Sequence, residues 1–463
     1  MDTKSKKTKW KEKARKRGQE VIRLKKQLLE TKISRDKWKA RYRNLKDQRD
    51  ALYKEKPQSH QYPVVFIWLC IHVYSCCQCS LRNCCEMVIG SALILQIRCH
   101  KPCAASIRNW IIKYGYYCYH QQEDQSGKWV VIIDESVSIG QEKLLLVLGL
   151  QLDKWEFNRT VRHSDVRVLH ISIATSWKSE GILRVLEEVS DRIEVAYCVS
   201  DKGNNIIGAI KSLGWLHIYD CSHQWAKLME QLYGKSPDFL KLMAELSRLR
   251  KRWVLSKHCH IMPPQLRSKA RFQNIFPLVE WIEKIWLHWE KLNTEAKRVL
   301  SFLEEQRGLI KELIILKQVV KQMGELLKVK GMNKATLDQC TSFLDVCHQG
   351  RPLQFKKILQ ASWSSCLPAS GEESYLCSSD IIESYFGRFK QRIKSNSMQA
   401  LTETVLMMCG WSGNITKEKV KTAMAHVSME DIYDWKKENT TPSLLKKRRE
   451  FFDKNRTKKW VVV

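Results

Sequence analysis

Between Lys128 and Asp220 the sequence alternates between strand-like and helix-like periods, and that alternation narrows the possible folds more than any other feature. "KWVVIIDES" is a short, apolar, β-branched run, and "KLLLVLGLQL" and "RVLHISIATS" are two more candidates for buried strands. "SEGILRVLEEVSD" then carries helical spacing, "IEVAYCVSD" is a fourth strand, "GNNIIGAIKSLG" a second helix, and "WLHIYD" a fifth strand. The order β-β-β-α-β-α-β predicts an α/β sheet. The first, fourth and fifth strands end in Asp134, Asp201 and Asp220. A parallel or mixed sheet can hold Asp134 and Asp201 side by side on adjacent strands. Glu135 is the fallback if the register is off by one.

Residues 224–370 change texture again. Segments such as "LMAELSRLRKRW" and "LIKELIILKQVVKQMGELLK" are helical in pattern with strongly charged faces, and no strand signature continues inside them. They read as an all-α insertion. After it comes "SSDIIESYFGRFKQRIK", whose Ser379 suits an N-cap and whose Asp380 suits the first turn of a helix. Glu383, Gly387, Lys390 and Lys394 fall on one stripe of that helix, beside an apolar stripe of Ile382, Phe386 and Phe389.

The 463 residues carry 80 Lys and Arg against 49 Asp and Glu, a formal net charge of +31. That excess calls for a polyanionic partner, and nucleic acid is the usual one. Residues 1–56 concentrate it, with 20 Lys/Arg and seven acids in the first fifty positions. Leu24, Leu28, Trp38, Tyr42 and Leu45 give a partial heptad seam broken by Thr31 and Arg35, so this segment is either a weakly pairing helix or an arm along phosphates. "KPQSHQYP" ends it. Residues 63–120 predict a small helical domain. "KPCAASIRNWIIKYG" begins with Pro102 and stops before Gly115, and as the second helix of a helix-turn-helix it would offer Arg108, Asn109 and Lys113 to a major groove. Any helical pair with one polar face would read similarly.

There is no apolar stretch after the lysine-rich first residues, and the run from Val64 to Tyr74 is too short to span a bilayer, so no membrane association is expected. The 17 cysteines, an odd number, read as reduced thiols of an intracellular protein. "CCQCSLRNCC" lacks paired CxxC knuckles at finger spacing, which favours core packing over zinc, with a zinc-binding regulator as a remote rival. The lysine-rich usage points to a bacterial cytoplasm rather than a nucleus.

Three carboxylates from two strands and a helix can hold two Mg²⁺ ions. Singly, each of these acids reads as a cap, a turn or a solvated face; together, in this order, they resemble the ribonuclease H-like core of the DDE transposases. That resemblance, over about residues 80–400, implies a mixed sheet interrupted by a helical insertion. It also implies Asp134, Asp201 and Glu383 as catalytic metal ligands, with Mn²⁺ able to replace Mg²⁺. "DCSH" resembles the C/D-x-x-H motif of the hAT-like branch, giving supporting roles to Asp220 and His223. "RKRW" resembles its RW motif, whose tryptophan, here Trp253, would stack as an exposed indole on a flipped base. Lys390, seven residues after Glu383, matches the lysine that contacts terminal phosphates in insertion-sequence relatives, and Lys394 extends that face. The Tyr and Arg expected seven and four residues before the Glu are Leu376 and Ser379 here, which points to the hAT-like branch. Taken singly, His223 also reads as a helix-start histidine, Trp253 as a core aromatic and Lys390 as a surface lysine.

The resemblance implies an enzyme that binds the inverted repeats of a mobile element, cuts DNA with Mg²⁺ and joins the ends to target DNA as a homo-oligomer. Rivals are a catalytically inactive or domesticated DNA-binding relative and a nuclease without strand transfer. The expected domains are a basic arm or coiled coil (1–56), the helix-turn-helix (63–120), a core in two parts (128–223 and 371–410) around the insertion (224–370), and a basic tail (411–463).

Overall fold

The computed structural model describes residues 3–77, 79–95, 97, 99–121, 125–265, 272, 274–363, 373–393, 398 and 400–458. The chain divides into two compact units, Met1–Tyr114 with Ile415–Ser428, and Gly115–Asn414 with Met429–Val463. The protein is α/β and mostly helical, with one mixed five-stranded sheet.

The first unit is helical. A 52-residue helix, α1 (Thr3–Lys54), leads to α2 (Val64–Cys77) and α3 (Leu81–Ile94). Ser80 caps α3 by accepting from the Asn83 N–H at 3.1 Å, the bond an N-cap serine supplies. α4 (Ala104–His120) follows, with Ile107, Trp110, Ile111, Ile112 and Tyr114 buried. Arg108, Asn109 and Lys113 lie on the same helix and are half-buried.

The second unit is built on the sheet. Its strands are β1 (Lys128–Ile139), β2 (Glu142–Gln151), β3 (Val166–Ala174), β4 (Glu194–Ser200) and β5 (His217–Tyr219), in spatial order β3-β2-β1-β4-β5. The β1–β2 and β2–β3 pairs are antiparallel, and the β1–β4 and β4–β5 pairs are parallel. Parallel neighbours need crossovers, which α5 (Ser179–Ser190) and α6 (Asn204–Ser212) supply. Strand alternation decides what each residue sees. Trp129, Val131 and Ile133 of β1 pack with Ile182, Leu186 and Ile210 of α5 and α6. Val130, Ile132 and Asp134 therefore belong to the opposite face.

The rest of this unit is helical: α7 (Cys221–Tyr233), α8 (Pro237–Trp253), α9 (Phe276–Leu287), α10 (Thr294–Val299), α11 (Phe302–Glu305), α12 (Arg307–Lys330), α13 (Lys334–Phe343) and α14 (Gly350–Trp363), then α15 (Asp380–Arg392). α16 (Lys417–His426) belongs to the first unit, and α17 (Met429–Asn439) and α18 (Leu444–Lys458) to the second. The spine of the helical part is α12, whose buried Leu309, Leu313, Leu316, Val319, Met323 and Leu327 keep helical spacing. Gly331 ends it at φ 72°, with the Phe157 ring where a β-carbon would sit, so only glycine fits.

No described helix is long and apolar enough to cross a membrane. Every described cysteine is a free thiol. Among the described residues, no three His, Cys, Asp or Glu side chains are grouped closely enough to hold a metal ion, the cysteine-rich stretch included.

Candidate functional site

Sheet register brings the strand aspartates together. Ile132 of β1 pairs with Val199 of β4, and Val199 pairs with Ile218 of β5. Two residues beyond these pairs come Asp134, Asp201 and Asp220, the last two just past the ends of β4 and β5, and extended spacing directs all three to the same side. The expectation that Asp134 ends its strand is corrected in one respect. β1 continues to Ile139 because its antiparallel pairing with β2 outlasts its pairing with β4. Glu135, the fallback ligand, alternates to the other face and pairs with Lys143 of β2 at 3.5 Å. It therefore points away from the other acids.

Asp220 is almost fully buried, at 1% exposure, and all of its hydrogen-bonding capacity is used. Its Oδ1 accepts from the His223 N–H at 2.7 Å, capping α7, and stands 3.1 Å from His223 Nδ1. Its Oδ2 accepts from the Ser379 N–H at 2.6 Å and from Ser379 Oγ at 2.9 Å. Ser379 occupies the N-cap position of α15, but its hydroxyl does not cap the helix. Its O–H is donated instead to the aspartate, a buried and charged acceptor.

The segment leading to α15 is pinned at several residues. Tyr375 bridges Met332, the Leu376 N–H donates to the Tyr197 hydroxyl at 2.8 Å, and the Cys377 carbonyl accepts from the Cys221 N–H at 2.9 Å. Ser379 follows. These ties set where α15 begins, and its buried Ile382, Phe386 and Phe389 hold it down. Asp380 pairs with Lys328 of α12 at 2.5 Å. Glu383, half exposed, faces His223, with 3.5 Å between Glu383 Oε1 and His223 Nε2.

The electrostatics follow from this crowding. Burial, then the nearby Asp201 charge, pushes the Asp134 carboxyl from its usual 3.8 up to about 8, with Glu383 adding to the shift. Burial likewise raises Glu383. Burial opposes charge on His223, but the Asp220 hydrogen bond and the surrounding carboxylates override it and lift the imidazole to about 9. Burial also works against ionised Asp220, yet the His223 bond and the Ser379 N–H hold its carboxyl below the ordinary range. His223 is thus a cation clamped among acids. Asp201 spends one oxygen on the Gly203 N–H at 2.9 Å, at the start of α6.

The acids border a cavity of about 1200 Å³, lined by Asp134, His223 and Glu383 on one side and by Lys317, Lys321 and Lys328 of α12 on another. Phe272, Phe276 and Met229 form its apolar part. Lys390 also lines it and is exposed; Lys394 lies outside the described residues. Trp253 is placed otherwise than expected. It is 1% exposed and packed beside His258, so it offers no ring face to a base. At the end of an amphipathic helix, an apolar ring is drawn into the core. Arg108, Asn109 and Lys113 lie on α4, in the first unit, where the sequence places them.

Sequence reasoning missed Ser379 as a partner of Asp220, and Lys328 as a partner of Asp380. Lys317, Lys321 and Lys328 share one stripe of α12, a pattern visible in the sequence. Ser379 carries no comparable local signal. No protein-family model matches this chain, and no curated protein matches it.

Proposed function

We infer that the protein is a DNA transposase of the DDE kind, cutting the ends of a mobile element and joining them to target DNA. One observation carries the reading: Asp134 and Asp201 each follow by two residues the paired Ile132 and Val199 of adjacent parallel strands, near enough for one charge to act on the other, and the Glu383 helix is tied through Ser379 to Asp220. The strand order β3-β2-β1-β4-β5, with the helices α7 to α14 between β5 and α15, supports a ribonuclease H-like core carrying a helical insertion. A net charge of +31 supports DNA as the partner.

The donor chemistry suits divalent ions, although the three carboxylates, not close enough to share a metal as they stand, would have to draw in around them. Oxygen-only carboxylates crowd until Asp134 holds its proton up to about pH 8, a repulsion that a hard cation relieves. Asp134, Asp201 and Glu383 would hold two Mg²⁺, or Mn²⁺ in their place. Such ions supply an activated water or 3′-hydroxyl and neutralise charge on a phosphodiester. The chain's own residues do the rest. His223 holds Glu383 in place, Asp220 holds His223, and Lys321, Lys328 and Lys390 offer positive charge along the cavity. Arg108, Asn109 and Lys113 on α4 remain the proposed readers of the terminal repeats.

A DNA-binding protein without cleavage activity is the second reading. The absence, among the described residues, of three side chains close enough to share a metal favours it. Mg²⁺-dependent cleavage of DNA bearing the element's ends, by wild type and Glu383→Gln, separates the two. Cutting by wild type alone, with DNA binding kept by the variant, supports the enzyme. Cutting by both removes Glu383 from the site. Cutting by neither, with binding intact, supports the second reading.

A further inference from the structure

We propose that α1 is one strand of a parallel two-stranded coiled coil, and that the other strand is α1 of a second copy of this chain. The proposal is independent of the catalytic reading and rests on one helix. At about 1.5 Å per residue, the 52 residues of α1 extend roughly 78 Å. Its apolar residues stand in water: Val21, Leu24, Leu28, Trp38, Tyr42 and Leu45 are between 49% and 69% exposed, and Trp10, together with Ile22, Leu29 and Ile33 off the line these six make, is exposed as well.

These six residues share one heptad frame. Val21, Leu28 and Tyr42 fall at position a, with Arg35 and Arg49. Leu24, Trp38 and Leu45 fall at d, with Thr31. A seven-residue repeat of apolar a and d positions, here kept at six of nine from Val21 to Arg49, is the pattern that helices bury against each other by supercoiling. A helix stripe meant for a globular core would be broader and follow a period of 3.6.

For two copies of this helix, the flanking positions choose the direction. Position e is lysine in four successive heptads, Lys25, Lys32, Lys39 and Lys46. An antiparallel pair of copies faces e against e and sets these lysines opposite one another. A parallel pair faces g against the e five residues later, so the lysines meet Glu20, Gln27, Ser34 and Arg41. One of those pairs attracts, two are neutral and one repels. Parallel pairing is therefore the arrangement this sequence tolerates. Arg35 and Arg49 at a weaken the seam, as polar a-residues do while setting its register.

Parallel pairing has a geometric consequence. Nine of the fourteen residues from Lys4 to Arg17 are Lys or Arg, and this stretch precedes the seam. Two copies would carry their basic arms at the same end, as a two-pronged grip for a polyanion. Mutual repulsion of the helices must also be screened, so pairing strengthens with salt or with DNA on the arms.

The test uses the full chain in sedimentation equilibrium at low and high salt, with and without duplex DNA. Leu24→Asp with Leu28→Asp on the seam is compared with Ile33→Asp, which lies at the outer f position and is 48% exposed. Because all three side chains are exposed, none of these changes perturbs the monomer fold. We expect wild type and Ile33→Asp to form dimers that tighten with salt, and the seam variant to be monomeric. Arg41→Glu turns the repelling pair into an attracting one and tightens the dimer roughly three- to tenfold only if the helices are parallel. A wild type that stays monomeric under all conditions, seam and f-position variants that behave alike, or an Arg41→Glu variant without effect overturns the proposal.

Discussion

Asp220 and Ser379 are 159 residues apart in the chain, yet one carboxylate oxygen of Asp220 accepts both the backbone N–H and the hydroxyl of Ser379, at 2.6 and 2.9 Å. The other oxygen caps α7 and holds His223. One side chain thereby ties the last strand of the sheet to the start of two helices, one of which bears Glu383.

Breaking that tie leaves buried donors without an acceptor. Asp220→Ala is expected to lower stability by about 3–5 kcal/mol, as when one partner of a buried charged network is removed. Ser379→Ala, which keeps the backbone bond, should cost about 1–2 kcal/mol. Urea unfolding of the three proteins at neutral pH checks the order; equal stabilities would mean that the contacts are incidental.

Asp134 is predicted to oppose folding. Its carboxyl titrates near pH 8 in the folded chain instead of 3.8, so between those values the folded chain keeps a proton that the unfolded chain has lost. Stability from this group therefore falls as pH rises from about 4 to 8. Asp134→Asn should raise stability at pH 8 by about 1–3 kcal/mol. Added Mg²⁺ should raise the melting temperature of wild type but not of the variant. Calorimetry at two pH values, with and without Mg²⁺, measures both effects.

Trp253→Ala should act on folding and not on DNA contact. Removing an almost fully buried indole costs about 3–5 kcal/mol. The DNA affinity of the remaining folded fraction is expected to match wild type. A stable variant with weakened binding would restore the residue to the DNA interface.

His170 makes a prediction of the opposite sign to that of Asp134. Burial, helped by Arg192, drops its imidazole from 6.5 to about 4. Below pH 6.5 the unfolded chain takes up a proton that the folded chain refuses, so stability is lost as pH falls from 6.5 toward 4, by up to about 3 kcal/mol. His170→Gln should flatten that part of the curve. Unfolding midpoints measured at half-unit steps from pH 7.5 to 4.5 would expose any failure.

The sequence by itself determined the elements of the second unit. Short apolar runs at Val130–Ile133, Leu144–Leu148 and Val195–Val199 become strands, and the two amphipathic runs between strands become α5 and α6, because period and burial are local properties. The stripe carrying Glu383, Gly387 and Lys390 is likewise exposed while Ile382, Phe386 and Phe389 are buried, as the spacing predicts. Tertiary structure alone decided the rest. The register between β1 and β4 includes an irregularity at Trp129/Val130, so the level at which Asp134 meets Asp201 follows from no single segment. The burial of Trp253 depends on which face of α8 meets its neighbours, and the turn of the Ser379 hydroxyl depends on a carboxylate in a distant strand. Such contacts join residues far apart in the chain, and local periodicity carries no information about which distant partner a side chain meets.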